Sequence, residues 1–125
     1  MGDNATLVKN AYAAFGRGDV PAVIDLVDEK VDWSSPATLP QGGHFEGKGQ
    51  VGQFFQGIGD AWESLSIEVE SLSEAGSDLV IGVVHGDGRL KDGTASGYGA
   101  THVFTVRDGK IARFREYTDL DEPLG

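Results

Sequence analysis

The stretch Thr101-His102-Val103-Phe104-Thr105-Val106-Arg107-Asp108-Gly109-Lys110-Ile111-Ala112-Arg113-Phe114-Arg115-Glu116-Tyr117 decides the fold. β-Branched and aromatic residues recur on both sides of Asp108-Gly109. A type I′ turn asks for that dipeptide, because both of its central residues take positive φ. Two strands joined by a two-residue hairpin follow. Toward the N-terminus, Asp92-Gly93 repeats the signal and Ala75-Gly76-Ser77 marks a third turn. Ser64 to Ser73, Asp78 to Leu90, Thr94 to Arg107 and Lys110 to Asp119 are therefore expected as a four-stranded antiparallel meander.

The first half reads differently. Leu7, Val8, Ala11, Tyr12 and Phe15 recur at helical spacing, with Asn4 or Thr6 as cap and Gly16 and Gly18 as stop. Asp19 caps a second helix that tolerates Pro21 in its first turn and buries Val23, Ile24 and Val27. Val31 to Ser35 alternates as a short strand closed by Pro36. The glycines and prolines of Pro36 to Gly43 predict an irregular loop at the rim of a pocket. After a short extended piece, His44-Phe45-Glu46-Gly47, residues Val51, Phe54, Phe55, Ile58 and Trp62 predict a third amphipathic helix over Lys48 to Trp62. Three helices followed by a meander make an α+β domain with the helices on one face of the sheet.

Composition narrows the functions. A chain of 125 residues is one domain, 1–125, and its 39% hydrophobic and 24% charged residues suit a globular protein and not a disordered one. Twenty acidic against ten basic side chains leave a net charge of −10, which repels nucleic acid and anionic membrane surfaces. With no cysteine, disulfides, thiolate metal sites and a cysteine nucleophile are excluded. The three histidines have no metal-ligand spacing, so no metal and no cofactor is expected. No run is long enough to span a membrane and no signal peptide is visible, so a cytoplasmic protein is expected. Gly2 stands in a loose myristoylation pattern of a kind that recurs by accident, and Asp121 and Glu122 read as a solvated acidic tail.

The order and residues resemble the nuclear-transport-factor-two-like superfamily, and within it the SnoaL-like and ketosteroid-isomerase-like domains. The likeness rests on Tyr12-Ala13-Ala14-Phe15 with Gly18-Asp19, on Val31-Asp32-Trp33 with Pro36, on Phe45-Glu46-Gly47, and on His102 to Ile111 leading into Phe114-Arg115-Glu116-Tyr117 and Asp119. It covers nearly the whole chain. It implies a cone-shaped, cystatin-like roll whose three helices pack on a curved antiparallel sheet and enclose a pocket. It also implies a small hydrophobic ligand and a homodimer. It does not specify an activity, because the family includes isomerases, polyketide cyclases, dehydratases and carriers.

The ketosteroid isomerases place an aspartate base immediately before a proline. Here Ser35 precedes Pro36 and cannot be that base, so steroid isomerisation by that mechanism is not expected. Their donor tyrosine corresponds by count to Ala11, with Tyr12 one place away. The resemblance to the cyclases instead puts an acid/base group at Glu116, and desolvation tunes a buried carboxyl for such work. The alternative for Glu116 is a surface carboxylate paired with Arg113 or Arg115. His102 is the candidate histidine for proton transfer, or else a core residue.

Pairing through Asp92-Gly93 sets His85 and Val83 beside Ala100 and His102. Pairing through Asp108-Gly109 sets His102 opposite Arg115 and Thr101 opposite Glu116, so a regular ladder turns His102 and Glu116 to opposite faces. A bulge, for which Gly97 and Gly99 offer a place, is needed to bring both into one pocket. Trp33 and Ser35 share the inward face of the first strand. Tyr12, Phe54, Phe55 and Phe114 are expected as apolar lining, Tyr98 and Tyr117 as phenols near the mouth, and Asp119 at the rim. The catalytic candidates are thus Glu116 and His102; the expected substrate contacts are Tyr12, Trp33, Ser35, Phe54, Phe55, Tyr98, Phe114 and Asp119. An acid/base enzyme of isomerase, cyclase or lyase type and a non-catalytic carrier both fit.

Overall fold

The protein is described here over residues 3–119 of a computed structural model, so Gly2, Asp121 and Glu122 lie outside the described residues. Helices α1 (Asp3–Gly16) and α2 (Val20–Ile24) lead into strands β1 (Val27–Ser35) and β2 (Gly43–Glu46). Helix α3 (Gly47–Ala61) follows, and then β3 (Trp62–Ala75), β4 (Leu79–Leu90), β5 (Ala95–Arg107) and β6 (Lys110–Thr118). The six strands form one curved, unclosed sheet in the order β2-β1-β6-β5-β4-β3. This is the expected α+β roll with three helices in the first half. The sheet is not wholly antiparallel, because β1 runs parallel to β6.

Local chemistry explains where the elements begin and stop. Helix α1 begins at Asp3, which puts Asn4 inside its first turn and not at its cap; Glu74 of β3 accepts the Ala5 N–H instead, at 3.1 Å. Gly18 takes φ +73°, a conformation that costs glycine little, and turns the chain into α2. The Asp19 carboxylate accepts the Ala22 N–H as predicted, yet α2 has only five residues and Val27 opens β1. Two residues near the middle of the turn, Asp108 at φ +53° and Gly109 at φ +74°, make the predicted two-residue hairpin. Asp92-Gly93 does not: Leu90 bonds Thr94 across a three-residue loop, with only Gly93 at positive φ. That shifts the β4–β5 register by one residue, so Val83 faces Thr101, His85 faces Gly99 and Gly82 faces His102.

The core lies between α1, α3 and the inner face of the sheet. Val8, Val27, Val31, Val51, Val80 and Ile111 have no exposed surface. Burying each contributes about 1.5–3 kcal/mol. A second cluster around Leu39, Trp62, Leu90 and Tyr98 closes the other end. Between the two clusters the interior is hollow.

Candidate functional site

Two rows of inward side chains cross the sheet above that hollow. In the first, Trp33 of β1 is paired with Phe114 of β6, which is paired with Phe104 of β5. Trp33 and Phe114 stack with ring centroids 4.1 Å apart. The next row along each strand is polar. It runs from Ser35 through Glu116 and His102 to Gly82 of β4. Their burial is nearly complete: Ser35 and His102 are 6% exposed and Glu116 is 8%.

The polar row is continuous. Ser35 Oγ donates to Glu116 Oε1 at 2.6 Å, and the other carboxyl oxygen, Oε2, lies 2.8 Å from His102 Nε2. His102 Nδ1 lies 2.7 Å from the Tyr12 hydroxyl, which descends from α1. With Glu116 as a carboxylate accepting at both oxygens, His102 donates from Nε2 and receives the Tyr12 O–H at Nδ1. Gly82 makes room for this. A Cβ at that position would sit 2.8 Å from Tyr12 Oη.

A bulge brings His102 and Glu116 together, at a place other than the glycines proposed for it. The β5–β6 register shifts between Thr105 and Val106, with Thr105 opposite Arg113 and Val106 opposite Ile111, leaving Ala112 as the extra residue. The sequence did carry a signal. Buried residues step by two along β5, but Ile111 and Phe114 are three apart. Arg115 is then on the outer side, where its guanidinium meets Asp32 at 2.9 Å and leaves Glu116 to the cavity. That guanidinium, followed by His44, which approaches Asp32 at 2.7 Å, holds the Asp32 carboxyl down at about 2.

The cavity is lined almost wholly by carbon. About 70 Å³ is open to the centres of water-sized molecules, against the about 10–15 Å³ one water needs. Trp33, Phe54, Phe55 and Phe114 line it, together with Tyr98, His102 and Glu116. Tyr12 lines it too, but as a hydrogen-bonding group and not merely as apolar wall. Ser35 stands behind Glu116, outside the lining, and acts as a donor to it.

Tyr98 is no mouth residue. It is 3% exposed, and its ring occupies the space left by Gly86, where a Cβ would fall 2.6 Å from ring carbons. Tyr117 is 59% exposed on the outer face. Asp119 also lies away from the cavity, where its carboxylate accepts the Gly99 N–H.

Two features escaped the sequence reading. Gln41, in the loop 36–42, is 5% exposed, lines the cavity, and accepts from Trp62 Nε1 at 3.0 Å. The loop is anchored and tightly folded: Leu39 and Gly42 bond back to Pro36 and Leu39, and a Cβ on Gly42 would collide with the Pro36 carbonyl. Among the described residues, Trp33 Nε1 is buried without a hydrogen-bond partner, an arrangement that costs about 1–3 kcal/mol. Among the described residues, no group of three or more His, Asp or Glu side chains is placed to hold a metal ion. No described helix is long and apolar enough to cross a membrane.

Burial, and then the charge of Glu116, pushes the phenols of Tyr12 and Tyr98 well above the ordinary tyrosine range. Both therefore remain hydrogen donors at any working pH.

The model of the family described as SnoaL-like domain matches residues 8–114. No curated protein sequence matches the chain. Among solved structures, an NTF2-like protein from Burkholderia thailandensis is 27% identical at a TM-score of 0.87, with 95% of this chain and 92% of that one covered. A Mycobacterium tuberculosis protein in complex with estradiol-17beta-hemisuccinate is 20% identical at 0.82, with 97% of each chain covered. A Catenulispora acidiphila protein of ketosteroid isomerase-like fold, in complex with trimethylamine, is 19% identical at 0.79, with 94% and 88% covered.

Proposed function

This chain belongs to the SnoaL-like domain family, and from that premise we propose that it is a cofactor-independent acid/base enzyme of isomerase, cyclase or lyase type acting on a small, mostly apolar compound. The observation that carries the proposal is the buried row Ser35–Glu116–His102–Tyr12 at the wall of an apolar cavity. Replacing a buried ion pair by apolar residues of similar volume is often neutral or stabilising, so stability is a weak reason for the row.

The row suits proton transfer beside a carbonyl. Glu116 and His102 form the base, held in one orientation by Ser35. Because Nε2 already carries the proton shared with Glu116, the guest's proton passes to the Tyr12 oxygen as the Tyr12 proton passes to His102 Nδ1. The doubly protonated imidazole then donates Nδ1–H back to that oxygen. The Tyr12 O–H is then released toward the cavity as a donor for the developing oxyanion. Proton uptake and oxyanion stabilisation are thereby coupled through one imidazole. Ser35 ahead of Pro36 supplies no base, which speaks against isomerisation by the ketosteroid isomerases' own mechanism.

The test uses small enolisable ketones in deuterated water. Deuterium should enter the carbon beside the carbonyl with the native protein and not with Glu116→Gln. Exchange at the native rate in that variant would remove Glu116 from the mechanism.

A carrier is the second reading, favoured by the complex of the M. tuberculosis relative with a steroid ester. Recovery of a bound, unchanged small molecule would support it, and release of an altered one would oppose it. A homodimer fits either reading, with Val83 and Tyr117 exposed together on the outer face of the sheet. A surface of net charge −10 suits a cytoplasmic protein.

A further inference from the structure

The cavity has a second polar end. Tyr98 and His102 stand on the same face of β5, four residues or about 13 Å apart along the strand. Tyr98 lies in the cluster around Trp62, and Gln41 meets it there from the loop 36–42.

The hydrogen-bonding sense at this end follows from chemistry. An indole N–H only donates, so Trp62 fixes the Gln41 oxygen toward itself and turns the amide NH₂ away. The Tyr98 phenol lies at the same end of the cavity, where burial, and then Glu116, keeps it protonated. Among the described residues, neither the amide hydrogens of Gln41 nor the Tyr98 O–H donates to a protein acceptor. Both groups line the cavity. At the other end the Tyr12 O–H is engaged by His102.

We infer that Gln41 and Tyr98 form a binding subsite for a hydrogen-bond-accepting oxygen, so that the guest is a small, mostly apolar carbonyl compound anchored by that oxygen. The inference deepens the acid/base reading by naming the substrate class, and it rests on that reading only for what happens to the guest after binding. A donor pair left without an acceptor inside an apolar cavity discriminates strongly, because a guest lacking the oxygen leaves both donors unpaired.

Acetophenone and ethylbenzene, alike in shape and differing in the carbonyl oxygen, serve as probes in calorimetric or ligand-observed NMR titrations. Tyr98→Phe keeps the ring over Gly86 and removes the O–H. Gln41→Glu keeps an oxygen for Trp62 and removes the amide hydrogens. In each variant the ratio of ketone to hydrocarbon affinity should fall about three- to tenfold, with ethylbenzene binding unchanged in Tyr98→Phe. Glu116→Gln should keep the native ratio even where deuterium exchange is lost, which separates this subsite from the proton-transfer reading. A native ratio in both Tyr98→Phe and Gln41→Glu would overturn the inference, as would failure of the native protein to bind either probe at millimolar concentration.

Discussion

Glu116 Oε2 lies 2.8 Å from His102 Nε2, and the two residues are direct cross-strand partners on β6 and β5. One inserted residue, Ala112, sets this up by changing which face of β6 every later side chain occupies. Without it, Arg115 would stand opposite His102 and a guanidinium would point into the apolar cavity. The same residue therefore decides both what the cavity contains and what the outer face pairs with Asp32.

Removing the Glu116 side chain should be costly, while changing its charge should not be. Glu116→Ala leaves the Ser35 hydroxyl and the His102 N–H buried without an acceptor, and should lower stability by about 2–4 kcal/mol in urea denaturation. Glu116→Gln, of the same shape, should cost roughly 1 kcal/mol. Equal losses in the two variants would show that the hydrogen bonds contribute little.

The glycines of β4 are expected to be intolerant where those of α3 are not. Alanine at Gly86 would press on the Tyr98 ring and at Gly82 on the Tyr12 hydroxyl, costing about 1–3 kcal/mol. Alanine at Gly52, which meets open space within a helix, should instead add about 0.4–1 kcal/mol. Thermal denaturation of the three variants checks the order. A destabilised Gly52→Ala, or neutral β4 variants, would contradict it.

Asp32 should account for part of the acid sensitivity. Its folded carboxyl is held at about 2, below its ordinary value near 4. The stabilisation is therefore complete above the ordinary value and disappears as pH falls through about 2. Because Asp32 is partly exposed, solvent screening limits the effect to about 0.5–1 kcal/mol. Asp32→Asn should be less stable than the native protein at pH 6 and equally stable below about pH 2. A gap that persists at low pH would assign the loss to something other than charge.

Alkali should act in the opposite sense through the phenols. Tyr12 and Tyr98 are raised in the folded state, so their contribution is present below the unfolded value of about 10 and is lost as pH rises above it. Phenolate absorbance should show both ionising later in the folded protein than in urea. Tyr12→Phe and Tyr98→Phe identify which signal belongs to which residue. Coincident titrations, folded and unfolded, would mean that neither phenol is held away from water.

Much of the fold was legible because its signals are local. Asp108-Gly109 demands positive φ whatever surrounds it, and the spacing of Val51, Phe54 and Ile58 makes a helix with one apolar face. Tyr98 and Tyr117 show the limit. Both were expected near the mouth, yet one is buried over Gly86 and the other stands outside, because strand register alone decides a side chain's face.

The sequence by itself determined the order of elements, the α+β class, an apolar interior and the candidates Glu116 and His102. Tertiary structure alone decided that these two meet, that Tyr12 and Ser35 complete their row, and that Gln41 faces Tyr98 from a distant loop. The reason is geometric. Periodicity reports which residues leave water, whereas the partners of a buried polar group are fixed by bulges and by the approach of segments far apart in the chain.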